Sequence, residues 1–387
     1  MISTLLTLTS TFKYIGYILI AILVLLFMVL IHELGHYIAG KILKFKINEF
    51  SVGFGPKIFQ KKNKSGELIS LRAFPLGGYC AFEGETEENK DNPQAFNNQK
   101  PWKRLIVLFA GAFFNFLSAI IFSFILLMAN GYDLVQVKNI DSTSINYNYL
   151  QNGDVIYGVE NQNIDFVNDV YFASIISNHL EDNYENYEGN ITLEINSYTK
   201  KDKTYYMVKT PINFKVERDG KKKLVEGYVN TIYNDKGEYV GWTLLTNNED
   251  ETSFGLQSYK YSFGEALEEA VPFTCKWAWK VLVIFGQLIT GQLSITSLGG
   301  PVTTVKMMAD FTQNNMLLVL LPLIAVNLAV FNLLPIPALD GFQMIFVAIE
   351  WIRKKPVKRE VVNLINNIGL IVLFGFVIVV DILQFVL

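Results

Sequence analysis

The sequence predicts a polytopic α-helical membrane protein. It has about four transmembrane helices, a membrane-associated β-hairpin on the cytoplasmic side and a folded α+β segment on the other side. Three observations carry this prediction. First, the 387 residues are 51% hydrophobic and only 18% charged, where soluble globular chains average about 25% charged, and mean hydropathy is +0.27. Second, besides Val281–Val305, whose apolar part is short and which reads as interfacial, four long runs carry no charge: Tyr14–Ile31, Leu105–Tyr132, Phe311–Leu339 and Val361–Val380. Each approaches or exceeds the roughly 20 apolar residues that span a hydrocarbon core as a helix. Third, basic residues cluster in two of the connections, Lys41–Arg104 and Arg353–Arg359, while the N-terminal tail holds only Lys13. Positive-inside topology then places both connections in the cytoplasm and both termini outside.

Residues 1–40 form the first transmembrane helix. Tyr14–Ile31 lacks a small-x-small cleavage site and runs directly into His32-Glu33, so it reads as a span and not as a signal peptide. Residues 41–104 hold two strand-like stretches, Lys46–Gln60 and Glu67–Phe74, joined by the turn Asn63-Lys-Ser-Gly66. The apolar residues Phe50, Val52, Phe54, Phe59, Leu71, Phe74 and Tyr79 suit a hairpin lying against the membrane. Pro75-Leu-Gly-Gly78 breaks the second strand. Gly77 and Gly78 permit a sharp bend or close approach of another chain and are candidate substrate-binding positions. Residues 105–132 form the second span.

Residues 133–262 are polar, and long enough for a small folded domain on the outer side. Strands are expected near 150–156, 191–195, 205–208, 212–216, 224–229 and 239–244, with a helix over Asp165–Leu180. Residues 263–310 read as an amphipathic, interfacial segment. Residues 311–345 form the third transmembrane segment and 361–387 the fourth. Net charge is −3, so no basic field points to nucleic acid. Two cysteines, Cys80 and Cys275, cannot build a disulfide framework.

The chemistry concentrates in His32-Glu33-Leu34-Gly35-His36, at the end of the first apolar helix. Residues i and i+4 share a helix face, so two neutral imidazoles can grip one Zn²⁺, with Glu33 placed to take a proton from activated water. Ionisable groups at membrane depth are costly and by default functional. Catalytic zinc ordinarily has three protein ligands. His179 is one candidate, but sits in the outer segment. Asp340 is the better one, because the third span also runs inward and delivers it to the depth of the histidines, after the helix-breaking Pro335 and Pro337. Asn115 and Asn332 are polar residues inside spans. Each suits either substrate binding, as an amide donor to a carbonyl or oxyanion, or a hydrogen bond between helices.

With those residues in place, the chain resembles the site-2 protease family of intramembrane zinc metalloproteases, in its bacterial form with an inserted PDZ domain. The resemblance rests on His32–His36, Phe50-Ser-Val-Gly-Phe-Gly-Pro-Lys57, Pro75–Tyr79, Gly111–Asn115, Leu150-x-x-Gly-Asp-x-Ile156, Gly300-Pro-Val302 and Asn332–Gly341, in that order along the chain. It implies that His32, His36 and Asp340 bind zinc, that Glu33 is the general base and that Asn332 positions substrate. It further implies that the Phe50–Phe82 hairpin pairs with an extended substrate and that a PDZ-like outer domain restricts access by size. The implied setting is a bacterial plasma membrane, where membrane-anchored proteins such as anti-sigma factors or remnant signal peptides are cut. Two positions depart from the family pattern. Ala112 follows Gly111 where proline is usual, and Phe342 follows Gly341 where a second glycine is usual. The alternative reading is a non-catalytic membrane scaffold whose PDZ-like domain binds peptides.

Overall fold

The computed structural model describes residues 2–85, 91–130, 135–138, 140, 144–160, 162–163, 176, 195–200, 203–236, 239–243, 255–258, 261–292, 299–314 and 316–386. The chain divides into two compact units, one made of Met1–Ile125 with Glu268–Leu387 and the other of Leu126–Leu267.

The first unit is a helical bundle with a β-hairpin at one end. Helix α1 covers Ile2–Ile42 and α2 covers Pro101–Ala129. After the second unit come α3 (Phe263–Ile289), α4 (Pro301–Gln313), α5 (Leu317–Leu333), α6 (Asp340–Arg353) and α7 (Arg359–Val386). Among the described residues, three stretches are long and apolar enough to cross a membrane: Phe12–Ile42, Pro101–Ala129 and Glu360–Leu383. The outward faces of these helices are apolar, with Leu23, Phe27, Phe113, Ile121, Ile371 and Val372 all exposed. Soluble proteins rarely show such continuous apolar surface.

The third expected span, 311–345, is interrupted. Its apolar helix α5 has 17 residues. Pro335 and Pro337 end the helix as expected of them, Ala338 adopts a φ of 75°, and Asp340 opens the new helix α6. The stretch 263–310 resolves into α3 and α4. Amphipathic α3 buries one face: Trp277, Ala278 and Val281 join Met28 of α1, Ala119 of α2 and Ala325 and Val326 of α5. The buried hydroxyls of Ser123 and Thr274, 2.9 Å apart, tie α2 to α3.

Helix α1 stops because Lys44 takes a left-handed conformation (φ 62°). The Phe45 amide bonds back to Gly40 O at 2.8 Å, a common helix ending. The chain then enters β1 (Ile47–Lys62), which pairs antiparallel with β2 (Leu68–Phe82). The register shifts repeatedly: Phe50–Val52 faces both Ile69–Leu71 and Gly78–Cys80. The hairpin is therefore folded over, and its last segment, 78–82, lies at an edge. Arg72 braces the fold, reaching Glu49 (2.9 Å), Ser51 Oγ (3.0 Å) and Gly55 O (2.8 Å). Near the turn, Phe54, Ile58, Phe59, Leu71 and Phe74 are exposed, the surface a membrane-associated hairpin needs. At its base, Phe45, Ile47, Cys80 and Phe82 pack with Phe96, with Val107 and Leu108 of α2, and with Val347 of α6.

The second unit is an antiparallel sheet. Strands β3 (Val135–Lys138), β4 (Val155–Val159), β7 (Lys203–Arg218), β8 (Lys221–Tyr233), β9 (Tyr239–Thr243) and β10 (Gly255–Ser258) run in the order β10-β3-β4-β7-β8-β9. Strand β5 (Gln162–Asn163) pairs with β4, and β6 (Ile195–Lys200) with β7. The two strands expected at 205–208 and 212–216 are one, β7, held in register by β8 through Pro211 opposite Tyr228. Ile156, Val159, Ile212, Phe214, Val216 and Val229 form the core. Asp154, in the expected turn, accepts from the Gln151 amide at 2.8 Å and from the Arg218 guanidinium at 2.7 and 2.6 Å. Apart from buried Ile176, the helix expected over 165–180 lies outside the described residues.

Candidate metal centre

The spacing on α1 turns both imidazoles the same way, and each histidine is buried. The loop after α5 brings Asp340 to them. His32 Nε2 and Asp340 Oδ2 are 2.9 Å apart, His36 Nε2 and Asp340 Oδ2 are 3.2 Å apart, and the two Nε2 atoms are 3.1 Å apart. This triangle is nearly equilateral. A tetrahedral zinc with bonds of about 2.0–2.1 Å places its ligand atoms roughly 3.3 Å from one another. Two imidazole nitrogens and one carboxylate oxygen at these separations fit three corners of such a site, and among the described residues this is the group able to hold a metal.

Helix α2 supplies no ligand to this group but holds the ligands in place. His36 Nδ1 lies 2.8 Å from Val107 O. The ring therefore donates there and keeps the Nε2 lone pair for a metal. Behind His32, Nδ1 faces the Asn115 amide at 3.3 Å and the Asn332 amide at 3.5 Å. Asn115 Oδ1 is buried without a partner. Turning that amide over, which leaves its shape unchanged, sets a carbonyl oxygen against His32 Nδ1–H, the partner an Nε2 ligand requires. Both asparagines proposed for substrate binding thus stand against His32.

Gly111 lies where α2 meets the imidazoles: a Cβ there would come within 2.7 Å of His32 Nε2. Gly35 permits the same close crossing from α1, since its Cβ would lie 3.0 Å from Gly111 Cα. We expect Gly111→Ala to lower the zinc-to-protein ratio of the purified protein severalfold while leaving helix content by circular dichroism unchanged, because alanine otherwise favours a helix over glycine.

Glu33 is half-buried, and its Oε2 accepts from the Cys80 amide at 3.0 Å. The Phe82 amide donates to Glu85 Oε2 at 3.3 Å. His32, Glu33, His36, Asn332 and Asp340 line one cavity of about 520 Å³ together with Tyr79–Phe82 and Glu85. Gly77 holds a φ of 146°, open to glycine and rarely to other residues. A Cβ on Gly78 would lie 2.7 Å from Ser51 O and 3.2 Å from Leu30 of α1. The pair therefore seats the hairpin against the helix that bears Glu33. Burial, with the Glu33 and Glu85 carboxylates nearby, pushes the Cys80 thiol above its ordinary range, so it is an inert part of the wall. His179 lies outside the described residues.

Sequence reasoning did not single out Val107 or Glu85, and named Gly111 only within a motif. Helical spacing gives the available signal, since 107, 111 and 115 fall on one face of α2.

A model of peptidase family M50 matches residues 20–376. Three similar proteins each carry the name "putative zinc metalloprotease". One from Clostridium perfringens is 28% identical over 95% of this chain and 97% of its own length. One from Helicobacter pylori strain J99 is 30% identical, covering 86% and 88%. One from Campylobacter jejuni is 28% identical, covering 92% and 90%.

Proposed function

The chain belongs to peptidase family M50, the site-2 type of zinc metalloprotease, and from that membership we propose that it hydrolyses peptide bonds within or beside the transmembrane segments of membrane-anchored proteins. The observation that carries this reading is the convergence of the His32–His36 pair with Asp340, 308 positions beyond His32, beside Glu33 in one cavity. His32, His36 and Asp340 are the proposed zinc ligands. Zinc, when bound there, supplies a Lewis acid for the scissile carbonyl and activates water for attack. Glu33 takes the proton from that water and returns one to the leaving amine. Helical substrate hides its carbonyls in its own hydrogen bonds, so it must unwind. The hairpin edge at 78–82 beside the cavity suits strand addition to an extended chain. Within the same reading, the basic connections 41–104 and 353–359 are cytoplasmic, and 133–262 is PDZ-like, supported by its antiparallel sheet. Anti-sigma factors and remnant signal peptides are the proposed substrate classes.

The test uses the full chain in proteoliposomes with a single-span reporter whose transmembrane segment carries a helix-breaking residue. Cleavage is expected with zinc, is abolished by a chelator and returns when zinc is restored. Mass spectrometry should place the new termini within or next to the apolar segment. Termini confined to the soluble flanks, or cleavage indifferent to chelation, would refute the proposal.

A further inference from the structure

We infer that the buried Arg104–Glu350 ion pair is a positioning device for the metal site, holding α6 against α2 so that Asp340 meets His32 and His36. The inference rests on the ligand assignment proposed above.

The two residues are 4% and 8% exposed, and Arg104 Nη1 donates to Glu350 Oε2 from 246 positions away in sequence. The guanidinium lies 5.2 Å from the centre of the Phe96 ring. Glu350 Oε1 accepts from the Val357 amide at 3.0 Å. Arg104 Nε finds no partner. A buried ion pair is weak evidence for stability, because apolar residues of similar volume often serve as well or better. An incompletely bonded guanidinium makes a purely stabilising role still harder to support. Fixing register is the best-attested use of such a pair.

Register is what this site needs. Helix α6 follows the break at 334–339, so the direction of α5 does not dictate where Asp340 points. Asp340 and Glu350 lie at opposite ends of one helix, about 15 Å apart along its axis. Val347, one turn before Glu350, packs in the same cluster as Val107 and Leu108. On α2, Arg104, Val107, Gly111 and Asn115 fall within roughly 80° of one another around the axis. That single stripe meets every ligand-bearing element: His36 through Val107 O, both imidazoles at Gly111, His32 through Asn115, and α6 through Arg104.

The experiment compares full-length Arg104→Met, Glu350→Met, the double Met variant and Arg104→Lys in detergent. Zinc affinity is read by competition with a chromophoric chelator, site geometry by the cobalt(II) spectrum and folding by thermal unfolding without metal. Each single Met variant leaves a buried charge unpaired and can lose stability for that reason alone. The double Met variant and Arg104→Lys carry the decision. Both should unfold near the wild-type temperature, yet bind zinc about tenfold more weakly, the lower end of what loss of a partner bonded directly to a ligand costs, with an altered cobalt spectrum. Wild-type zinc affinity and spectrum in those two variants would overturn the inference and leave the ligand assignment standing. Wild-type affinity in Asp340→Asn would instead remove the ligand assignment, and this inference with it.

Discussion

Asp340→Asn is expected to strip zinc from the purified protein, and proteolysis with it. The substitution keeps the side chain's shape and removes its negative charge. Asp340 Oδ2 stands within 2.9 and 3.2 Å of the two imidazole nitrogens, so it is the one anionic corner of the donor triangle. In a site of low dielectric a carboxylate offsets the charge of Zn²⁺ far more effectively than in water. Affinity should therefore fall by more than the roughly 10–100-fold that loss of an outer hydrogen bond costs. Asp340→Glu should be intermediate, because the longer arm moves the oxygen off its corner. His179→Ala should retain a full complement of metal. Zinc-to-protein ratios after identical purification decide the matter. Retention in Asp340→Asn with loss in His179→Ala would move the metal out of the bundle.

The second large effect is the reverse combination, full zinc with no turnover. Glu33→Gln should keep the metal, because Glu33 stands beside the donor triangle and its Oε2 engages the Cys80 amide. Glutamine can accept that same hydrogen bond and preserve the local structure, but it cannot take a proton from water. Loss of a general base costs typically about 10²–10⁴-fold, so reporter cleavage should drop below detection. If Glu33→Gln cleaves at the wild-type rate while holding zinc, the proton transfer belongs to another group.

The part of the site carried by local spacing was legible in the residues. The i, i+4 histidines share a face because any helix makes them do so. The prolines at 335 and 337 announce a break, and a carboxylate just after such a break has reason to be there. What stayed hidden depends on how helices face one another. Runs such as Leu105–Ala110 are apolar all round, so their pattern does not mark a buried stripe. The supporting face of α2 emerged only with α1 packed against it through Gly35 and Gly111. Asn115 and Asn332 looked equally suited to substrate or to a neighbouring helix, and only their approach to His32 Nδ1 tells where they stand. The reach of α6 back to Arg104 is a contact across most of the chain, beyond any local pattern. In the sheet unit, β7 continues through Pro211 because its partner β8 runs unbroken alongside, which a local reading of two short apolar stretches cannot anticipate.

The hairpin's last segment has one more consequence. Open sheet edges invite indiscriminate pairing and aggregation, and in a lipid setting an unpaired amide costs several kcal/mol. Here the amides of Cys80 and Phe82 are occupied by the carboxylates of Glu33 and Glu85. These two donors are therefore engaged, and on the proposed strand-addition reading an incoming chain exchanges those bonds for its own carbonyls. A strand that merely drifts against the hairpin finds no vacant donor at these two positions. On that reading, a segment that replaces the carboxylate at the Cys80 amide also frees Glu33 from the wall, toward the chain that displaced it.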